Sequence, residues 1–264
     1  HDTCRRQRQM CIRDRLLYRS LTIITLCFSK QAEIRESWAA LLNTNFEQIH
    51  ATHHINNLIR QNAIPSSKKE QDLLDRIGIK VLDEKLLVMM PEQMDEIYQT
   101  THFNIHYDTY GSSGSVSSND VNNNSVPDYV ENMGLIFEDV YHFFKDSMGY
   151  DITFLNSQNV GNNKYDIFID NLPTNYFAIT YTTSFINQAS TSCGSYIKMR
   201  NNYNGAAFQN ITELENIKIT AAHEFFHAIQ FSYNCYERFW LMEATAVWSE
   251  DEIYDEINDH YRYM

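Results

Sequence analysis

The chain has few of the features that place proteins outside the globular class. Its 264 residues include only eight glycines and four prolines, and the composition is not that of a disordered chain. No apolar run approaches the roughly 18 residues that a membrane helix needs, so the sequence predicts no membrane span. Seventeen tyrosines and fifteen phenylalanines predict a core rich in packed aromatic rings.

Basic residues are scarce beyond the first segment of the chain. The first 29 residues carry six of the 21 basic and two of the 34 acidic side chains, which leaves 15 against 32 over residues 30–264, a net charge of −17. An acidic surface of this kind argues against nucleic-acid binding. It fits an exported protein or one that binds cations.

The first 29 residues consist of two segments that differ in pattern from the rest of the chain. RRQRQMCIRDR, Arg5–Arg15, back-translates without a mismatch to a transposon-based sequencing-library adapter, so we expect residues 1–15 to be an artefact rather than a basic nucleic-acid or membrane arm. LLYRSLTIITLCFS, residues 16–29, has the basic and apolar parts of an incomplete signal peptide. A short buried helix or strand is the alternative for this second segment.

Cysteine is also sparse. Cys4, Cys11 and Cys27 lie in the first 29 residues, which leaves Cys193 and Cys235 for an exported chain. They could form one disulfide or remain two separate buried thiols. The stretch between Phe28 and Ser192 contains no cysteine, so no thiolate there can silence a metal.

The remaining chain divides into two regions. Residues 30–98 have a charged helical pattern and are predicted to form a helical leader or pro-segment, in which His53 and His54 are expected to be solvated. Residues 99–264 form the main predicted domain. There, HFNIHYDT, KYDIFIDNL and GSYIKMRNN read as strands, and SYIKMRNN is the expected edge strand, to which an extended peptide could add.

A loop between the first strand and the next helix has the oxygen-donor spacing of a calcium site. Positions 1, 3, 5, 7, 9 and 12 would be Asp120, Asn122, Asn124, the Val126 carbonyl, Asp128 and Glu131. Ser125 stands where such loops have a glycine, and no helix enters the loop. Asp128 and Glu131 could alternatively, or in addition, cap the helix predicted over Tyr129–Met148.

The stretch TAAHEFFHAIQFSYN sets His223 and His227 four residues apart, with Glu224 directly after the first histidine. On a helix, two imidazoles one turn apart share a face and can reach one zinc ion. Glu224 is turned by about 100°, where its carboxylate can meet a water molecule without ligating the metal. The pattern alone also fits a core helix with incidental histidines.

A third ligand decides between types of zinc site. A three-histidine continuation would need glycine at 230 and histidine at 233, but the chain has Gln230 and Tyr233. A second helical stretch, FWLMEATAVWSEDEIYDEIND, carries Glu243 in its first turns and Glu250 two turns later. We expect Glu243 to complete a His-His-Glu site with a fourth position for water, and Glu250 to lie too far from the metal.

Four stretches together are similar to a known family. They are IKITAAHEFFHAIQ, LMEATAVWSEDEIYDEIND, DVNNNSVPDYVE and HFNIHYDT, and they resemble a largely uncharacterised family of exported bacterial metalloproteases of the gluzincin group. The resemblance covers roughly Thr101 to the end. It implies a zincin fold, zinc on His223, His227 and Glu243, and Glu224 as the catalytic carboxylate.

The fold class predicted for the main domain is α+β and zincin-like. We expect a small twisted mixed sheet, a backing helix, the HExxH helix and a second helix with the glutamate ligand, incomplete at the C-terminus. Oxyanion donors could lie in the missing part, or be Tyr233, Tyr236, His260 or Tyr261.

The predicted function is a secreted or periplasmic zinc metallopeptidase that acts on protein or peptide substrates. A zinc-activated water would attack the peptide bond with Glu224 as general base, and a calcium ion would bind the 120–131 loop. The alternative is a calcium-stabilised extracellular binding or adhesion module that has the zincin fold without turnover.

Overall fold

The structure, a computed structural model, describes residues 29–42, 51–88, 94–111, 114–152, 163–173, 175–185 and 191–257. The predicted adapter segment and nearly all of the predicted signal peptide lie outside these residues. Among the helices described, none is long and apolar enough to cross a membrane.

The described chain combines helices and strands in an α+β arrangement. The helices are α1 (29–41), α2 (Ala51–Gln61), α3 (Lys68–Ile77), α4 (Asp128–His142), α5 (Glu213–Asn234) and α6 (Phe239–Ile253). The strands are β1 (Ile79–Leu82), β2 (Lys85–Val88), β3 (Glu96–Gln99), β4 (Phe103–Tyr107), β5 (Tyr165–Asp170), β6 (Ala178–Phe185) and β7 (Cys193–Arg200). A π-helical turn, Phe143–Ser147, extends α4.

Five strands form one small mixed sheet in the order β3-β4-β5-β7-β6. The pairs β4/β5 and β5/β7 are parallel, and the two outer pairs are antiparallel. The predicted mixed sheet is thus confirmed, and the strands predicted from HFNIHYDT, KYDIFIDNL and GSYIKMRNN are β4, β5 and β7.

The prediction that SYIKMRNN is an edge strand is wrong. β7 lies between β5 and β6, and all eight of its residues are buried. Its polar side chains have partners inside the protein: Lys198 Nζ lies 3.0 Å from Asp170 Oδ2, and Arg200 donates to the Tyr176 carbonyl. The edge strands of this sheet are β3 and β6, neither of which the sequence predicted as a strand.

One face of the sheet packs against α4 and α5. The predicted backing helix is confirmed, and its apolar stripe includes the fully buried Val130, Met133, Phe137 and Val140. The apolar side chains between the sheet, α4 and α5 form the first core, and its aromatic rings meet around Phe225 of α5, whose ring centroid lies 5.4 Å from that of Phe103. Burial of these rings supplies much of the hydrophobic stabilisation of α5.

The opposite face of the sheet is covered by the leader. A second core joins α1, α2, α3 and the β1–β2 hairpin to the outward-facing side chains of β5, β6 and β7. The sequence predicted a wholly helical leader, and this prediction is wrong, because the leader also contains the β1–β2 hairpin. The hairpin turns at Asp83 and Glu84, both at positive φ, a turn that usually carries asparagine or glycine and was missed for that reason. β3, also assigned to the helical region, pairs with β4 in the main sheet.

Candidate metal centre

The HExxH motif lies in the middle of α5, as predicted. A capping box between Thr212 and Glu215 starts the helix, because each side chain satisfies a free backbone N–H of the first turn. Nearly every side chain of the helix from Asn216 to Ser232 is buried. His223, Glu224 and His227 are only 3, 3 and 0% exposed, so this helix is both a core helix and the carrier of the motif.

Three side chains from two helices meet at one point. His223 and His227 of α5 and Glu243 of α6 bring their ligand-type atoms within 4.8 Å of one another. His227 Nε2 lies 3.0 Å from His223 Nε2 and 3.1 Å from Glu243 Oε1, and His223 Nε2 lies 3.4 Å from Glu243 Oε2. A tetrahedral site with metal–ligand distances of about 2.0–2.1 Å has ligand–ligand distances of about 3.3 Å. The three groups predicted to bind zinc therefore fit around one such ion.

The outer nitrogens of both imidazoles face acceptors. His223 Nδ1 lies 2.6 Å from Glu250 Oε1, and His227 Nδ1 lies 2.8 Å from Gln230 Oε1. The Gln230 amide is itself oriented, because its Nε2 donates to the Met242 carbonyl and to Thr245 Oγ1. Since these acceptors require N–H on both Nδ1 atoms, both Nε2 atoms are directed at the centre, the arrangement found in metal sites.

Glu250 thus has a role that the sequence did not predict. It is not part of the three-residue group, which agrees with the expectation that it lies too far away to be a ligand. Instead its carboxylate holds the ring of His223. The spacing of seven residues from Glu243 was the available signal, because it places both carboxylates on one face of α6.

The pKa values of Glu243 and His223 are shifted in opposite directions, so that both side chains are favoured in their charged forms. Burial by itself would raise the pKa of Glu243, but the charge of His227 and hydrogen bonds from the surrounding imidazoles hold it well below its usual range. Burial by itself would lower the pKa of His223, but hydrogen bonds to Glu243 and Glu250 raise it well above its usual value. The centre therefore has a negative carboxylate, that of Glu243, which can stabilise a cation in a buried place.

The carboxylate of Glu224 contacts the edge strand β6 and helix α2. Its Oε2 accepts hydrogen bonds from Thr180 Oγ1 of β6 at 2.6 Å and from Thr52 Oγ1 of α2 at 2.7 Å. Neither threonine was singled out in the sequence, because their proximity to Glu224 arises from packing across 44 and 172 residues of chain.

His53 does not have the solvated position expected for it. Its side chain is only 10% exposed, and its Nδ1 lies 3.1 Å from Glu243 Oε1. The ring stacks on Phe239 of α6, with centroids 3.4 Å apart. Burial lowers the pKa of His53, and the hydrogen bond with Glu243 opposes this only in part. The neighbouring His54 is half-buried and contacts Ser37.

A disulfide joins Cys193 and Cys235, which decides between the two alternatives left open by the sequence. It connects the start of β7 to the residue that follows α5. The C-terminal end of the helix that carries the motif is thereby fixed to the sheet. Phe231 and Met242 pack with this bond in a small separate core.

The predicted calcium loop has the hydrogen bonds of a compact turn. Asp120 accepts from the backbone N–H groups of Asn124 and Ser125, and the carboxylate of Glu131 accepts from the amides of Asn122 and Asn124. Acceptors from both ends of the loop are thus brought together.

Ser125 adopts a φ of 73°, the left-handed conformation that the usual glycine would provide. The predicted capping role of Asp128 is wrong, because Asp128 is the first residue of α4 and accepts from the Val121 N–H. The Val126 side chain packs against the first core.

The candidate oxyanion donors and a second group of metal-ligand type lie at other places in the chain. The Tyr233 hydroxyl accepts from the Asp151 N–H on a partly exposed surface, Tyr236 lines a cavity beside α2, and His260 and Tyr261 lie outside the described residues. A second group of metal-ligand type, His102, Glu138 and His142, lies on the surface. There, Glu138 accepts from both the backbone and the ring of His102.

Comparisons of the chain with protein-family models, with curated proteins and with solved structures find no match. The interpretation of the site therefore depends on its own geometry.

Proposed function

We propose that this protein is an exported zinc metallopeptidase of the gluzincin type, with zinc held by His223, His227 and Glu243. The observation that carries the proposal is the pair of Nε2 atoms 3.0 Å apart, with both Nδ1 atoms committed to fixed acceptors. Two buried imidazole nitrogens that face each other beside a carboxylate are a set of ligands for zinc.

The residues around the centre have distinct tasks. Zn²⁺ in such a site acts as a Lewis acid and makes a neighbouring water acidic. Glu224, one position after the first histidine, takes the proton of the attacking water and passes it to the leaving amine. Glu250 and Gln230 hold the rings of His223 and His227, and the Cys193–Cys235 disulfide holds the end of their helix.

Two further features support export and a second cation. Disulfides form and persist in oxidising compartments outside the cytosol, and Cys193 and Cys235 are bonded. The loop with Asp120, Asn122, Asn124, the Val126 carbonyl, Asp128 and Glu131 supplies oxygen ligands of the kind that Ca²⁺ takes. Calcium there would fix the loop that leads into α4 and would stabilise the first core.

Metal analysis of the purified protein tests the zinc centre. We expect one zinc per chain, lost in His223→Ala and retained in Glu224→Gln, whereas hydrolysis of a broad peptide library should be lost in Glu224→Gln. Protein without stoichiometric zinc, or zinc unaffected by His223→Ala, would refute the site. Zinc that is bound through His223 in a parent protein that hydrolyses no peptide of the library would favour a binding module without turnover.

A further inference from the structure

Helix α2 of the leader lies against the residues that a working peptidase needs free. We propose that α2 is a built-in inhibitor, which occupies the place of an extended peptide substrate along β6 and holds the site inactive until it moves. This inference rests on the proposed function. It assigns the β6 edge as the binding place for the substrate backbone and α2 as its competitor.

The first contact is with the backbone of the edge strand. Asn56 Nδ2 donates to the Thr180 carbonyl at 3.0 Å, and the Thr182 N–H donates to Asn56 Oδ1 at 3.3 Å. The Thr180 N–H donates to Thr52 Oγ1 at 2.9 Å. These outward-directed groups of an edge strand are the ones that an added peptide strand would pair with. In this structure, side chains of α2 take their hydrogen bonds.

The second contact is with the proposed catalytic carboxylate. Thr52 Oγ1 donates to Glu224 Oε2, the oxygen that also accepts from Thr180. Thr52 is fully buried and Glu224 is 3% exposed. A general base must lie within hydrogen-bond reach of the water whose proton it takes. With α2 in place, this oxygen of Glu224 accepts from the Thr52 hydroxyl of α2 in addition to the Thr180 hydroxyl of β6.

The third contact is at the metal-ligand carboxylate. His53 Nδ1 lies beside Glu243, and its ring is held between α2 and Phe239 of α6. Its Nε2 is buried without a hydrogen-bond partner in the described part of the chain. A buried polar atom without a partner is unfavourable, so stability alone does not account for a histidine here. The contact with Glu243 places the His53 ring directly against one of the proposed metal ligands.

The space for a substrate is present next to the helix. A cavity of about 810 Å³ lies between the leader and the main domain, and its walls include His53, Asn56, Thr182, His227 and Met242. The opposite face of α2 is anchored in the second core by Ile55 and Leu58. The helix therefore combines an apolar anchor with a polar face directed at the site. Because the leader has no cysteine, this block depends on hydrogen bonds rather than on a thiolate.

Substitutions on the polar face of α2 test the proposal in the full chain. The test variant is His53→Ala/Asn56→Ala, and the matched control is Gln61→Ala, at the last residue of the same helix and not among the residues that line the cavity. The probe is a fluorescent extended peptide hydroxamate added to zinc-loaded protein that also carries Glu224→Gln, so that turnover does not interfere. We expect the double variant to bind the probe at least tenfold more tightly than the parent or the control. With Glu224 intact, its peptide hydrolysis should rise by a similar factor.

A second readout is independent of zinc and of activity. Amide hydrogen exchange at Thr182 should be at least tenfold faster in the double variant, because Asn56 accepts a hydrogen bond from this N–H. Exchange at Thr180, whose N–H donates to Thr52, reports on substitution of Thr52 instead. If the double variant does not fold, Thr52→Val, which keeps the packing volume, should still increase exchange and probe binding by at least threefold.

Equal probe binding and equal exchange in parent and variants would overturn the proposal. Faster exchange without zinc or hydrolysis in any variant would refute the peptidase and leave the covering of the edge by α2 established.

Discussion

The carboxylate of Glu250 offers the sharpest test of how the centre is built. Its Oε1 lies 2.6 Å from His223 Nδ1, and the two side chains are only 13 and 4% exposed. Glu250→Ala removes the acceptor and leaves a buried N–H without a partner, a cost of about 1–3 kcal/mol. The ring of His223 is then free to turn its Nε2 away from the centre.

The loss of such an outer partner typically weakens metal binding by about 10- to 100-fold, which corresponds to about 1.4–2.7 kcal/mol. Glu250→Gln keeps an acceptor oxygen and should lose less. Glu252→Ala, an exposed glutamate on the same helix, is the matched control for charge and should bind zinc like the parent. Competition with a chromophoric chelator measures all four affinities.

Two results would refute the reasoning. Glu250→Ala with parental affinity would mean that the contact does not orient the ligand, and equal losses in Glu250→Ala and Glu252→Ala would indicate a general effect of charge. The absorption spectrum of the cobalt-substituted protein provides a further check. The spectrum of Glu250→Ala should show the same cobalt coordination as that of the parent, because Glu250 contacts His223 and is not itself a ligand.

Three further predictions concern stability. Gly134→Ala in α4 would place a methyl group 2.8 Å from Thr100 Cγ2 and from Tyr98 Cε1. The clash should lower the free energy of unfolding by about 1–3 kcal/mol, which exceeds the gain in helix propensity of about 1 kcal/mol. A higher midpoint of unfolding in urea would contradict the packing described. Replacing both Cys193 and Cys235 with serine should lower the free energy of unfolding by about 3–4 kcal/mol, because the bond closes a loop over a separation of 42 residues. Reduction of the disulfide in the parent protein should lower its free energy of unfolding by the same amount, which checks the prediction. Ser125→Gly should stabilise the 120–131 loop by about 0.5–1 kcal/mol, because Ser125 has a left-handed φ. Calorimetry with and without Ca²⁺ measures this gain, and a lower melting temperature in both conditions would contradict it.

Local patterns were sufficient for the elements whose signals lie within one stretch of chain. The apolar stripe of α4, the alternation of β4 and the helical spacing of the HExxH motif each come from the side-chain period of a single element. The hairpin β1–β2 was not predicted because it turns at Asp83–Glu84 without glycine or asparagine. The edge strand β6, AITYTTSF, consists mostly of β-branched and aromatic residues, so its strand signal was present in the sequence. Strand order was also beyond reach, since continuous burial of β7 depends on its neighbours.

The sequence by itself determined which side chains can bind a metal and at what spacing. His223 and His227 share a face because an α-helix repeats every 3.6 residues, and Glu243 was the carboxylate placed early on the next helix. Only the tertiary structure decided what surrounds them. The partners of the site, Glu250, Thr180, Thr52 and His53, come from three different elements, α6, β6 and α2. Their meeting depends on how two cores pack on the two faces of one sheet, which no local pattern in the chain encodes.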